Sequence, residues 1–363
     1  MNKVRFSDVL TIINGRNQKR VENPNGKYPI YGSGGIMGYA DDYICDKETV
    51  VIGRKGNINN PIYVETPFWN VDTAFGLYAN EEKLFPKYLF YFCEKFNFEH
   101  LNTTVTIPSL TKANLLKIEM LLPSLEEQQK KAFVLDKVSN LIALRKQQLA
   151  KLDELVKSRF VEMFGDKAAY ASEPLGNNVE EMFIGPFGSS LKNDCFVPQE
   201  KAFCMVYEQK HAIQKTMNVE TRYVSEAKYK ELKRFSVHGG DIIVSCRGTI
   251  GEVFVIPDNA PLGIMHPSIM KIRLNASAYT TKFFAKLLER YMQLHSEEAN
   301  GSGVKMAVTA TTLGKELFCK PPITVQNEFS TFLEKTDKTK SSIQKSLAET
   351  QLLFDSLMQT YFG

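Results

Sequence analysis

Neither a Cys-x-x-Cys pair nor a His-x-x-x-His pair occurs in this 363-residue chain. The six cysteines, Cys45, Cys93, Cys195, Cys204, Cys246 and Cys319, are scattered, and there are only five histidines. This spacing argues against a zinc site and against a disulfide framework. It suits reduced thiols in a cytosol. Long apolar runs are missing as well, with nothing near the ~20 residues that a membrane-spanning helix needs. The opening segment MNKVRFSDVLTIINGR has no apolar core and no small-residue cleavage site, so no signal peptide is read there. A soluble, cytoplasmic chain with no membrane partner is expected. Net charge is slight: 45 basic against 41 acidic residues leave a formal +4. That permits a nucleic-acid partner without arguing for one.

Signatures of chemistry are missing too. KYPIYGSGGIMGYADD (Lys27–Asp42) holds four glycines but fails as a nucleotide loop. G-x-G-x-x-G needs glycine where Met37 stands, and Gly26-Lys27 is followed by Tyr28 rather than Ser or Thr. The glycines, set between YPIY and MGYA, predict a hairpin-like turn, with Ser33 free to meet a phosphate. NNPIY (Asn59–Tyr63) differs from the Asn-Pro-Pro-aromatic motif of amino-methyltransferases at Ile62, and no glycine-rich S-adenosylmethionine motif precedes it. No Ser-His-Asp order, paired carboxylates or metal box emerges. No catalytic residue is assigned.

What the chain does have is duplication. KLDELVKSRFVEMFG ends at Gly165 and AETQLLFDSLMQTYFG ends at Gly363, 198 residues later. Each segment follows a proline stop, LLPSLEEQQKK at Pro123 and KPPITVQNEFS at Pro321-Pro322. Proline followed by polar and acidic residues predicts a helix start. Neither run then meets proline or glycine, so each predicts a continuous helix of about 40 residues, ~60 Å long. The 3-4 spacing predicts a seam: Leu135, Val138, Ile142, Leu149, Leu152 and Val156 in the first run, and Ile343, Leu347, Phe354 and Leu357 in the second. Polar interruptions are complementary, Arg145 standing opposite Ile343 in the alignment and Leu152 opposite Thr350. Pairing of the two helices with each other, or with a partner protein, is expected. The second start lacks the Glu126-Glu127 pair of the first, which leaves its capping interaction open. Four parts follow: 1–122, the helix 123–164, 165–321, and the helix 322–363.

The two globular parts share a landmark. DKETVVIGRKGNINNPIYV (Asp46–Val64) parallels GGDIIVSCRGTIGEVFVI (Gly239–Ile256), with Lys55 matching Arg247, Gly56 matching Gly248 and Ile58 matching Ile250. Each reads as a buried strand, a basic glycine turn and a second strand. Arginine reaches guanine O6 and N7, and asparagine reads adenine in the same two-pronged way. Arg54, Lys55, Asn57, Asn59 and Asn60 are therefore candidate DNA contacts in the first part, as are Arg247 and Thr249 in the second. FIGPFGSSLKND (Phe183–Asp194) adds Ser189, Ser190 and Lys192, which suit phosphate positioning. NTTVTIPSLTKANLLKI (Asn102–Ile118) and GSGVKMAVTATTLGKELF (Gly301–Phe318) each read as a polar turn, a strand, a capped turn and another strand. Lys305 of the latter is a further candidate contact.

With KYPIYGSGGIMGY, VVIGRKGNI, PFWNVDTAF, GPFGSSLKND, GGDIIVSCRGTIGEV and the IPSLTK…LPSLEEQQ junction, the chain resembles the specificity subunits of type I restriction-modification systems over essentially its whole length. The resemblance implies an α+β fold. Two pseudo-repeated α/β target recognition domains with β-rich cores are separated by two long antiparallel coiled-coil helices. It also implies that each domain reads one half of a split double-stranded DNA target while the helices act as a ruler. Partners would be two modification subunits, which hold S-adenosylmethionine and methylate adenine N6, and two restriction subunits, which cleave DNA with ATP. This chain would hold no cofactor and catalyse nothing. Unlike domains imply an asymmetric target. The competing expectation is a non-catalytic coiled-coil scaffold with two β-rich protein-binding domains.

Overall fold

The structure is a computed structural model that describes residues 2–102, 109–165, 170–302 and 309–363. The chain divides into two compact units, Met1–Ala150 with Ser342–Gly363, and Lys151–Ser341. Both long helices contribute to both units. Among the described residues no helix is long and apolar enough to cross a membrane, and no group of three or more His, Cys, Asp or Glu side chains could hold a metal ion.

The first unit is built on an antiparallel sheet with the spatial order Leu10–Asn14, Ala74–Ala79, Thr49–Gly53 and Ile62–Val64. TVVIG is buried along its whole length. This is why its β-branched run is continuous rather than alternating. Tyr88, Leu89, Phe92 and Cys93 of the helix Pro86–Lys95 pack with Phe6, Val50, Ile52 and Leu77 to form the core. The glycine-rich stretch is the hairpin Tyr28–Gly32 and Gly35–Ala40, with Gly35 at φ +116°. Trp69–Asn70 adds to it in parallel.

The second unit repeats this plan. Val179–Ile184, Ile269–Leu274, Ile242–Ser245 and Val253–Val255 stand in the same order. Phe283, Phe284, Leu288 and Met292 of the helix Thr281–Ser302 pack with Ile242, Val244 and Ile272. The second sheet again contains a parallel pair, Cys204–Tyr207 with Gly263–Met265. A two-stranded ladder closes each unit, Asn2–Arg5 with Glu119–Leu122 and Ser172–Pro174 with Leu317–Cys319. Thr111 and Thr309 cap the short helices before these closing strands. One expectation needs correcting. Gly301 and Ser302 belong to the helix that begins at Thr281, not to a polar turn.

The long helices run Leu125–Phe164 and Ile323–Phe362, 40 residues each, with both ends at the same 198-residue offset. All ten seam positions are buried or half-buried. In the first unit Ala132 and Leu135 meet Met358, and the Arg145 guanidinium donates to the Ser346 carbonyl at 2.6 Å. In the second unit Phe160 lies 5.6 Å from Phe329, ring to ring, and Arg159 pairs with Glu328 at 2.8 Å. Early residues of one helix thus meet late residues of the other in each unit, so the segments run antiparallel. The interruption at Arg145 is satisfied by a backbone carbonyl, which is how a seam tolerates a charge.

A buried glutamine fixes each helix start. Gln128 accepts from the Phe85 amide at 2.8 Å and donates to the carbonyls of Lys83, at 3.0 Å, and Pro123, at 2.9 Å. Gln326 accepts from the Thr280 amide at 2.8 Å and donates to those of Ala278, at 3.0 Å, and Pro321, at 2.8 Å. Both side chains are fully buried. Each bridges its own long helix to the start of the helix behind the sheet. A matched acid supports the joint, Asp136 pairing with Lys87 and Glu334 with Lys282. The capping left open by sequence is therefore settled differently at the two ends. Ser124 and Glu127 exchange capping bonds of 3.3 Å, while the second start rests on Pro322 and Gln326.

Gln128→Leu leaves one amide and two carbonyls without partners, and a loss of about 2–4 kcal/mol is expected. The sole tryptophan, Trp69, lies in the same unit and reports it. Its fluorescence midpoint in urea should fall for Gln128→Leu. A midpoint equal to that of the unaltered chain would deny the glutamine this role.

Candidate nucleic-acid interface

In each unit a short turn gathers loops that are far apart in sequence. In the first unit the turn is Asn70–Ala74. The Val71 amide donates to the Tyr31 carbonyl at 3.0 Å, Gly15 to Ala74 at 3.3 Å, and Arg54 to Thr73 at 2.8 Å. A Cβ at Gly15 would stand 1.7 Å from the Val71 carbonyl oxygen, so only glycine permits the approach. In the second unit the turn is Met265–Ile269. His266 donates to Tyr207 at 2.9 Å, Gly185 to Ile269 at 2.9 Å, and Cys246 to Ser268 at 2.8 Å. A Cβ at Gly185 would stand 2.3 Å from the His266 carbonyl oxygen. The three bonds correspond one for one.

The basic turns hang from these hubs. Arg54, Lys55, Asn57 and Asn60 are exposed, and Ile58 beneath them is buried. Arg54 lies over the buried Phe75 ring, 5.5 Å from its centroid, which steadies a charge that faces water. Gly53 has no room for a Cβ, because the Asn57 carbonyl oxygen would lie 2.0 Å away and Ser33 Cβ 3.1 Å away. The hairpin tip that holds Ser33 is thereby pressed against the GRKGN turn, so two of the sequence motifs form one surface. Arg247 and Thr249 are exposed in the matching turn of the second unit. Gly56 and Gly248, aligned by sequence, both take left-handed backbone, at φ +78° and +66°.

Over most of the chain, residues 1–154 and 212–351, the sequence matches the family model described as the type I restriction modification DNA specificity domain. The chain belongs to this family. Its role is therefore DNA sequence specificity within a type I restriction-modification system. Two solved structures share the fold of this specificity chain at 15% identity. One is the S subunit of the type I restriction-modification system from M. genitalium, with a TM-score of 0.64 over 100% of this chain and 96% of that one. The other comes from work on complex assembly and conformational transition of the type I R-M system, with a TM-score of 0.59 over 99% and 97%. No curated protein matches.

The specificity domains place the remaining candidates unevenly. Asn59 is engaged at both ends, donating to Asn97 at 3.1 Å and accepting from the Phe98 amide at 2.8 Å. It braces the turn instead of reaching from it. Ser189 and Lys192 are exposed beyond Gly185, and Ser190 is half-buried with its amide donating to the Phe187 carbonyl. Lys305 lies outside the described residues.

Tertiary structure adds residues that sequence missed. Arg16 is exposed one residue beyond Gly15 and is tied to the hub by its amide, which donates to the Asn70 carbonyl at 2.8 Å. In the second unit Tyr207 leads into a charged cluster. The buried Glu208 pairs with Arg222 and with Lys210, the latter at 2.9 Å. Burial alone would push the Glu208 carboxyl up, but Arg222 and Lys210 outweigh it and hold the group below the usual carboxylate range. Gln209 lies beside Gly248. The run NGRNQKR was the available signal. Nothing marks Arg222 before folding.

His266 is half-buried, and its Nδ1 faces the Ser268 hydroxyl at 2.8 Å. Burial pushes its pKa down; Glu208 opposes this, and Arg222, Arg247 and Lys210 add to it. His211, fully buried, is lowered mainly by burial. The folded state therefore binds these protons less readily than the unfolded chain, whose histidines titrate near 6.5. Their stabilising effect is complete above about pH 6.5 and is lost as pH falls from there towards the folded values. Thermal unfolding of the second unit should shift down between pH 7.5 and pH 5.5. His266→Asn should shrink the shift, and an undiminished shift would exclude His266 as a source.

Proposed function

We propose that this chain reads a bipartite, asymmetric DNA target and directs adenine methylation and DNA cleavage by partner subunits. The carrying observation is that one hub and one basic turn occur twice with different side chains. Arg54, Lys55 and Asn57 stand in one unit where Cys246, Arg247 and Thr249 stand in the other. Each unit would read its own half-site from these turns, using Lys and Arg for guanine and Asn for adenine. Arg16 and Lys192 would hold phosphates. The long helix pair would set the spacing of the half-sites and receive two modification subunits. Two restriction subunits would complete the assembly. S-adenosylmethionine and ATP would be bound by those partners, and this chain would act without chemistry of its own. The modest +4 charge fits an interface whose phosphate contacts are shared among subunits.

Adenine-methylation sequencing of cells holding this chain with its modification subunit, beside cells lacking the chain, tests the proposal. A split, asymmetric motif that vanishes with the chain is expected. Lys55→Ala and Arg247→Ala should each weaken discrimination at one half-site only, by about 5- to 150-fold. Uniform loss across all sequences would reassign them to phosphate. Removing one heptad from each helix, Arg145–Lys151 and Lys340–Ser346, shortens the pair by ~10 Å. The spacer should contract by about three base pairs at 3.4 Å each, or activity should vanish. An unchanged spacer would refute the ruler.

A further inference from the structure

The loop GPFGSSLKND presents a phenylalanine to solvent. Phe187 is 86% exposed, the most exposed large apolar side chain among the described residues. It does not hang from a loose strand of chain. Gly185 is pinned by its bond to Ile269 and by the His266 carbonyl, which leaves no space for a side chain. Pro186 is buried and has a fixed φ. The Phe187 carbonyl accepts from the Ser190 amide at 2.8 Å, closing the turn Gly188–Ser190. Leu191 then anchors the far side in a cluster with Val206, Val224 and Ile264. The ring is thus held out by bonds on both flanks. The hub that pins Gly185 also pins Cys246, so the stretches that lead to Phe187 and to Arg247 leave adjacent residues of one turn.

We propose that Phe187 is a stacking wedge for the second half-site. On target binding, its ring enters a base-pair step or covers an unstacked base while Arg247 and Lys192 hold the flanking polar groups. The inference rests on the DNA-reading role proposed above and adds shape readout to it. Apolar side chains inserted between base steps kink the duplex and select deformable steps. The surroundings favour DNA over an apolar protein face, because Ser189, Ser190 and Lys192 follow the ring in sequence and Arg247 follows Cys246, which is bonded to the same hub. At the corresponding point after Gly15 the first unit has Asn17. No aromatic ring stands at that point of the first unit.

The test uses the full chain assembled with its modification subunit. Duplexes bearing the motif methylated in cells would have 2-aminopurine placed at each purine position of the second half-site in turn. Apart from the adenine that the modification subunit extrudes for methylation, which brightens by itself, fluorescence should rise at one step for the unaltered protein. Phe187→Ser should abolish the rise and weaken target binding about tenfold to a hundredfold, leaving low-salt binding to a random duplex unchanged. Phe187→Trp should restore the affinity. No rise away from the methylated adenine, or unchanged target affinity in Phe187→Ser, would overturn the wedge. So would loss of the modification subunit from Phe187→Ser with the fluorescence rise intact, since that result assigns the ring to a protein contact. Failure of the DNA-reading role itself looks different: the unaltered protein would not separate target from random duplex, and Arg247→Ala would change nothing.

Discussion

Two buried amides hold this molecule's plan in place. Gln128 and Gln326 each satisfy a backbone N–H and two carbonyls where a helix start, a proline stop and a second helix meet. Away from water those groups would be costly to leave unpaired. A single side chain that meets all three demands fixes where the long helix begins relative to the sheet-backing helix. In each unit the sheet packs on the helix so placed. Hydrophobic packing alone is less directional, because the cores on either side tolerate small shifts of helix register more readily than a three-way hydrogen-bonded joint does.

The hubs solve a second problem. That problem is how to present exposed cations without letting them wander. Here backbone bonds, not side chains, locate the turns, so the side chains can differ between units without disturbing the frame. Arg54 and Cys246 make the same amide bond to Thr73 and Ser268. Glycine is required where the backbones touch, at Gly15 and Gly185, and where the turn reverses, at Gly56 and Gly248. Near these fixed points the side chains of Lys55, Asn57, Arg247 and Thr249 are exposed, so they can change while the architecture is kept.

Much of the architecture was legible in the primary structure for physical reasons. A helix of 40 residues leaves a long periodic record, and its offset of 198 residues repeats at both ends. The matched turns were legible because glycine with a basic neighbour between two β-branched runs has few other uses. The bracing role of Asn59 was not, since an exposed asparagine after a basic turn looks the same whether it faces DNA or binds Asn97 and Phe98. The helix through Ser302 overrode a glycine and a serine that locally favour a turn.

By itself the sequence determined the duplication, the two helices with their polar interruptions, and the pair of glycine turns. These are encoded by period and by backbone permissiveness, both local properties. Only the tertiary structure decided which loops share a surface. Gly15, Ser33, Arg54 and Val71 come together through amide–carbonyl bonds and close backbone contacts, and such contacts have no residue signature. The same holds for Glu208 with Arg222 and for the outward presentation of Phe187, which depend on chain crossings that no periodicity records.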